Sequence, residues 1–217
     1  MAMGTFAHSN IYNFSKDKHL RGPIKPNDWK RKSQETEMTE DEIREHESEV
    51  NWKAISNKQN LSESFIREFD EDLNWKAISN SQIITKDFIR EHKDKVDWSG
   101  LLHHFKFDVE FLDEMAPYLN WEKVSEYQKL TPKFMDKYVD KLNLTIIGRS
   151  QRLTEEFMRL YKDKLNWWVV VANQKLSENF IEEHMKYLSS CRAVFKYQKH
   201  LSSEFKKKLE KKYHIKF

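Results

Sequence analysis

The chain has 217 residues with a formal net charge of +3, 34% charged and 13% aromatic side chains, and one Cys, Cys191. A single thiol excludes an intramolecular disulfide and a zinc cage of cysteines, while seven Trp and fourteen Phe supply ample material for a core. No apolar run is long enough to span a bilayer or to serve as the central part of a signal peptide, so neither membrane insertion nor secretion is expected.

The charge is unevenly spread. Through Ser33 there are seven Lys/Arg against two Asp, from Lys206 onward six Lys against one Glu, and the intervening body carries a formal −7. Basic ends on an acidic body argue against one continuous polyanion surface along the molecule. The ends themselves hold the candidate phosphate contacts: Lys30, Arg31 and Lys32, then Lys206, Lys207, Lys208, Lys211 and Lys212. The plainer account of such lysines is a solvated helix end, where positive charge complements the helix dipole.

In chain order, a basic extension over residues 1–28 precedes a tandem array over 29–217, read as a single helical domain. The array is announced by "NWKAISN", which stands at residues 51–57 and again at 74–80. Trp52, Trp75, Trp98 and Trp121 follow one another at 23-residue steps, and the next two steps reach Leu144 and Trp167. A Gln column runs through Gln59, Gln82, Gln128, Gln151 and Gln174, with Phe105 in the missing place. A Phe column runs through Phe65, Phe88, Phe111, Phe134, Phe157 and Phe180. One period before Trp52 lies Trp29, which opens a degenerate first unit. Beyond Leu188 the columns continue at Cys191, Gln198, Leu201 and Phe205 only if one residue is inserted before Cys191 and another near His200. Irregular first and last copies are what a repeat protein needs as caps.

Each unit contains two helix starts. Helix A begins after Asn51, Asn74, Asp97, Asn120, Asn143 or Asn166, whose short side chains can accept from orphan amides, and each is flanked by an apolar staple such as Leu73 with Ile78. Helix B begins after Ser62, Thr85, Asp108, Thr131, Thr154 or Ser177, with Pro132 at the first-turn position that tolerates proline. Helix B is expected to run for about ten residues. Helices this short are marginal alone and must stack. The predicted fold is therefore all-α, a solenoid of about seven 23-residue helix-turn-helix repeats with irregular terminal caps.

The periodic aromatics read as structure. The Trp column is expected to fill space between repeats, and the Gln column to cap helix carbonyls or bond the next unit's backbone. His46, His92 and His184 share a column with Phe69, Met115, Tyr138 and Tyr161, which points to an aromatic stripe. Repeats spaced roughly 10 Å apart cannot bring these His to one metal. The unit from Trp98 to Asn120 departs most from its neighbours, with Gly100 inside helix A, adjacent His103 and His104, Phe105 for Gln, and Pro117 near the end of helix B. Its residues His103, His104, Phe105 and Lys106 are the candidate partner contacts. No nucleophile elbow, P-loop, zinc-protease helix or Gly-rich dinucleotide turn occurs, so no catalytic, metal or cofactor-binding residue is nominated and no enzyme is expected.

The completed consensus W-x-x-I-S-x-x-Q-x-L-[ST]-x-x-F-I, best seen in "NWKAISNKQNLSESFIREF", resembles the tandem repeats of uncharacterised proteins of bacteriophages and large DNA viruses. The resemblance implies viral origin and action in the cytoplasm of a host cell, and it carries no catalytic residues. The units at Trp98 and at Leu144, where "LTIIGRSQ" replaces Trp and Ser, depart from the pattern. The expected function is a protein-binding scaffold that inhibits or redirects a host protein. The alternative is a nucleic-acid or nucleoprotein binder that uses the basic ends, for example against a host defence complex.

Overall fold

The computed structural model describes residues 24, 25, 27–188 and 191–214. Most of the basic extension and the extra residue expected before Cys191 lie outside the described residues. The chain divides into two compact units, Met1–His104 and Phe105–Phe217. Among the described residues there are sixteen helices and no strand, and A and B helices alternate throughout. The all-α helical-repeat architecture read from the sequence is the architecture observed.

In the first unit the A helices are α1 (Trp29–Glu35), α3 (Trp52–Lys58), α5 (Trp75–Ser81) and α7 (Trp98–His104), and the B helices are α2 (Glu40–Glu45), α4 (Glu63–Glu68) and α6 (Lys86–Glu91). The second unit has B helices α8 (Val109–Glu114), α10 (Pro132–Lys137), α12 (Glu155–Leu160), α14 (Glu178–His184) and α16 (Ser203–Tyr213). Its A helices are α9 (Trp121–Tyr127), α11 (Leu144–Ser150), α13 (Trp167–Asn173) and α15 (Cys191–Tyr197). Within each unit successive A helices pack on one another: α1 on α3, α3 on α5 and α5 on α7, then α9 on α11, α11 on α13 and α13 on α15.

The caps occur where short polar side chains precede the apolar pattern. Asn51 and Asn74 accept from the amides of Ala54 and Ala77, and Ser62, Thr85, Thr131, Thr154 and Ser177 accept from the amides of the Phe three residues on. Thr39 adds a full capping box with Glu42. Helix B, however, is six residues long in most repeats rather than about ten. Its C-cap leaves helical geometry, as at Phe69 with φ −110° and ψ 34°. The Phe69 carbonyl then accepts from Asp72 and Leu73, so the remaining residues form a separate tight turn that redirects the chain to helix A.

Apolar side chains of the helices form a buried centre in each unit. Ile55, Phe65, Ile66, Ile78, Phe88 and Ile89 form the centre of the first unit, and Phe111, Leu112, Val124, Ile147, Met158, Val170 and Phe180 that of the second. The tryptophan rings stack on aromatics of their own repeat, while the indole N–H bonds the turn of the repeat before it. Trp52 packs on Phe65 and Phe69, Trp75 on Phe88 and His92, and Trp121 on Phe134 and Tyr138, with ring centroids 4.6 to 6.4 Å apart. The indole N–H reaches back to the turn before it, as Trp52 does to the Glu47 carbonyl at 3.1 Å and Trp98 to that of Lys93 at 2.9 Å. His46 stacks on Trp29 at 3.5 Å, so the His column belongs to the aromatic stripe.

Candidate functional site

Three hydrogen-bond ladders link the repeats, and they determine which positions remain available to a partner. The first is made by glutamine. Each column Gln is the C-cap of helix A, and its side chain turns to the preceding repeat, not to the next one. Gln59 accepts from the Met38 amide at 2.9 Å and donates to the carbonyls of Ser33 and Thr36. Gln82 does the same with Leu61, Ser56 and Gln59. In the second unit the chain of bonds is continuous: Gln128 donates to Phe105 O, Gln151 to Gln128 O, Gln174 to Gln151 O and Gln198 to Gln174 O, all at 2.7 or 2.8 Å. The amides of Phe107, Leu130, Leu153 and Leu176 close the same clamps from the other side.

A second ladder is made by fully buried serines on helix A. Ser33, Ser56, Ser79 and Ser125 donate to a carbonyl of their own helix and accept the backbone amide of the next repeat's cap, Asn51, Asn74, Asp97 and Asn143, at 2.8 to 3.0 Å. The third ladder runs along helix B, where Glu40, Glu63, Glu155 and Glu178 accept the amides of Ser62, Thr85, Ser177 and Ser202 at 2.6 to 2.7 Å. These acids thus do more than complement a helix dipole. The bond from Ser202 is the leading cause that holds the Glu178 carboxyl below its ordinary range.

The candidates from the sequence fare differently. In the first unit His103 and His104 are both exposed with rings 4.8 Å apart, and burial, then the neighbouring His103, lower the pKa of His104. In the second unit Phe105 is half-buried near Phe107 with ring centroids 6.0 Å apart, and Lys106 donates to the Tyr127 carbonyl at 2.6 Å. The basic ends are partly spent. Arg31 pairs with Glu35 at 3.1 Å, Lys32 with Glu42 at 2.9 Å and Lys208 with Glu182 at 2.8 Å. Lys206 is half-buried, and Lys212 lies over the Tyr213 ring, whereas Lys30, Lys207 and Lys211 are exposed.

Two features were not singled out from sequence. The residue after each clamp glutamine in the second unit is basic: Lys129, Arg152, Lys175 and Lys199, continuing the position held by Lys106 after Phe105. All five are exposed, and the last four pair with no carboxylate among the described residues. The signal was present as a column at the repeat period, but the loops had to be seen bonded in register before it described a surface. The second feature is Trp168. The position after the Trp column is Lys53, Lys76, Ser99, Glu122 and Thr145 elsewhere, and only here is it a large apolar residue, 52% exposed and edge-on to Tyr197 at 5.8 Å.

Charge separates within this unit. The helix-A and following-loop stretches 144–153, 167–176 and 191–201 contain Arg149, Arg152, Lys175, Arg192, Lys196 and Lys199, all exposed, and no Asp or Glu. The carboxylates of the same repeats lie on helix B and the turn after it, many in ion pairs between repeats such as Arg159–Glu183 at 3.2 Å and Lys164–Asp140 at 2.6 Å. No described helix is long and apolar enough to cross a membrane. No family model, curated protein or solved structure matches this chain.

Proposed function

We propose that the protein is a non-enzymatic scaffold that binds another protein on the helix-A side of its second unit. Trp168 carries this reading. In a column that is polar in the repeats before it, Trp168 keeps half of its indole in solvent after its one edge contact with Tyr197 of the next A helix, and exposed Trp with a neighbouring Tyr is the residue pair that anchors protein interfaces. The resemblance of the repeat to those of phage and large-virus proteins supports a host protein as the partner, inhibited or redirected in the host cytoplasm. The basic ends give less support to nucleic acid, because Arg31, Lys32 and Lys208 already hold carboxylates.

The test is affinity capture from host lysate with wild-type protein and with Trp168→Ala, both checked for unchanged thermal unfolding. A partner retained by the first and lost by the second supports the reading. Equal capture by both chains, or substrate turnover with no capture, overturns it.

A further inference from the structure

We propose that the loop edge of the second unit is a track for an extended acidic segment of the partner protein. The inference rests on the scaffold reading above and names the chemistry that the scaffold takes. Its basis is the register imposed by the glutamine clamps. Lys129, Arg152 and Lys175 each lie between two bonded backbone groups: the carbonyl before the residue receives the next glutamine's amide, and the amide after it gives to that glutamine's oxygen. Arg152, for example, stands between Gln151 O, which accepts from Gln174 Nε2 at 2.7 Å, and Leu153 N, which donates to Gln174 Oε1 at 2.9 Å. The backbone of Lys129, Arg152 and Lys175 is therefore fixed, and each side chain leaves a bonded loop at the same point of its repeat.

Stacked helices lie roughly 8–10 Å apart, so the rungs present one cation at about that interval. A polyproline II segment turns once in three residues and advances about 9 Å in doing so. A carboxylate at every third residue would then face successive rungs without bending the peptide. Tyr197, two residues before Lys199 and edge-on to Trp168, provides an apolar contact at the end of the track. The flanking helix-A stretches of Arg152, Lys175 and Lys199 hold no carboxylate of the scaffold, and in that of Lys129 Glu126 is paired with Lys123 at 3.2 Å.

A nucleic-acid strand fits less well. Each strand of a duplex carries a phosphate about every 3.4 Å along the helix axis, about three for each rung. The aromatics that recur at the repeat period and could stack bases are engaged internally, Trp121 with Phe134 and Trp167 with Phe180.

Three labelled probes test the proposal against the full chain by fluorescence anisotropy: a peptide with Glu at every third position and one Leu, its Gln counterpart, and oligothymidylate of the same net charge. The acidic peptide should bind and the Gln peptide should not. The triple variant K129E/R152E/K175E should weaken binding by about tenfold or more, because each exposed pair contributes up to about 1 kcal/mol. The variant K53E/K58E/K76E changes net charge equally on exposed residues of the first unit, and should weaken binding by no more than about twofold.

Equal weakening by the two triples, tighter binding of oligothymidylate, or no binding of either probe overturns the acidic track. Self-association removed by the same triple would assign the edge to a second copy of this chain and overturns it too. Lysate capture that needs Trp168 but ignores K129E/R152E/K175E keeps the scaffold and discards the track. Peptide binding that needs the column, with no Trp168-dependent capture, has the reverse meaning.

Discussion

The first and second units share the glutamine clamp, yet the residue that follows it differs: Asn60 and Ile83 in the first, Lys129, Arg152, Lys175 and Lys199 in the second. Ile83 is 70% exposed, so this position tolerates an aliphatic side chain in water as readily as a cation. The difference teaches that the clamp uses backbone groups on either side of this residue and leaves its side chain without structural duty. The same fold can then carry an inert edge in one unit and a charged edge in the other. The serine ladder differs as well. It runs through Ser33, Ser56 and Ser79 in the first unit and stops there at Leu102, and in the second it is kept at Ser125 and replaced at Gly148 and Val171.

The comparison would break first at the clamps. Gln174→Leu leaves the Leu153 amide and the Gly148 and Gln151 carbonyls without the glutamine, and Gln82→Leu does the same to the Leu61 amide and the Gln59 carbonyl while Ser56 O keeps its bond from Ser81 Oγ; each should lower stability by about 3 kcal/mol in urea unfolding. A large loss in one unit with none in the other would show that the two ladders are not equivalent.

Restoring the serine ladder should act in the opposite direction. A Cβ at Gly148 meets Val169 at 3.4 Å and Val170 at 3.7 Å, ordinary contact, and a hydroxyl there stands where Ser125 holds the Asn143 amide one repeat earlier. Gly148→Ser should therefore raise stability by about 1 kcal/mol, read as an increased Tm.

The glutamate ladder gives a smaller, pH-dependent effect. The folded pKa of Glu178 lies below its ordinary value of 4.5, so its contribution is complete above that value and is lost as pH falls through the folded pKa. Unfolding followed from neutral to acid pH should show a decline that Glu178→Gln reduces.

The smallest effect on stability belongs to the edge itself. Replacing Lys129, Arg152 and Lys175 by Gln should leave unfolding within about 0.5 kcal/mol of wild type, as expected for surface positions without structural partners. A larger loss would mean that the column serves the fold, and the contrast between the units would lose its functional sense.

Much of this was legible in the residues. Asn51, Ser62, Asn74 and Thr85 marked helix starts because a short side-chain oxygen can reach an amide three residues on without any tertiary context. The length of helix B was not legible. The pattern after Phe69 remains compatible with helix, and the turn forms because Asp72 and Leu73 bond to its carbonyl. The direction of the glutamines was also hidden, since a C-cap amide can equally well serve the loop before it or the loop after it. Trp168 stands in an apolar run, "WWVVVAN", and only the placement of α13 separates it from buried Trp167.

The sequence by itself determined the period, the alternation of two capped helices and the burial of one face of each, because caps and apolar stripes act over a few residues along the chain. The tertiary structure decided which repeat each glutamine, serine and glutamate holds, and with it which side chains are left to solvent. Those bonds join residues about one repeat apart, where the partner depends on how the helices stack and not on what stands beside it in the chain.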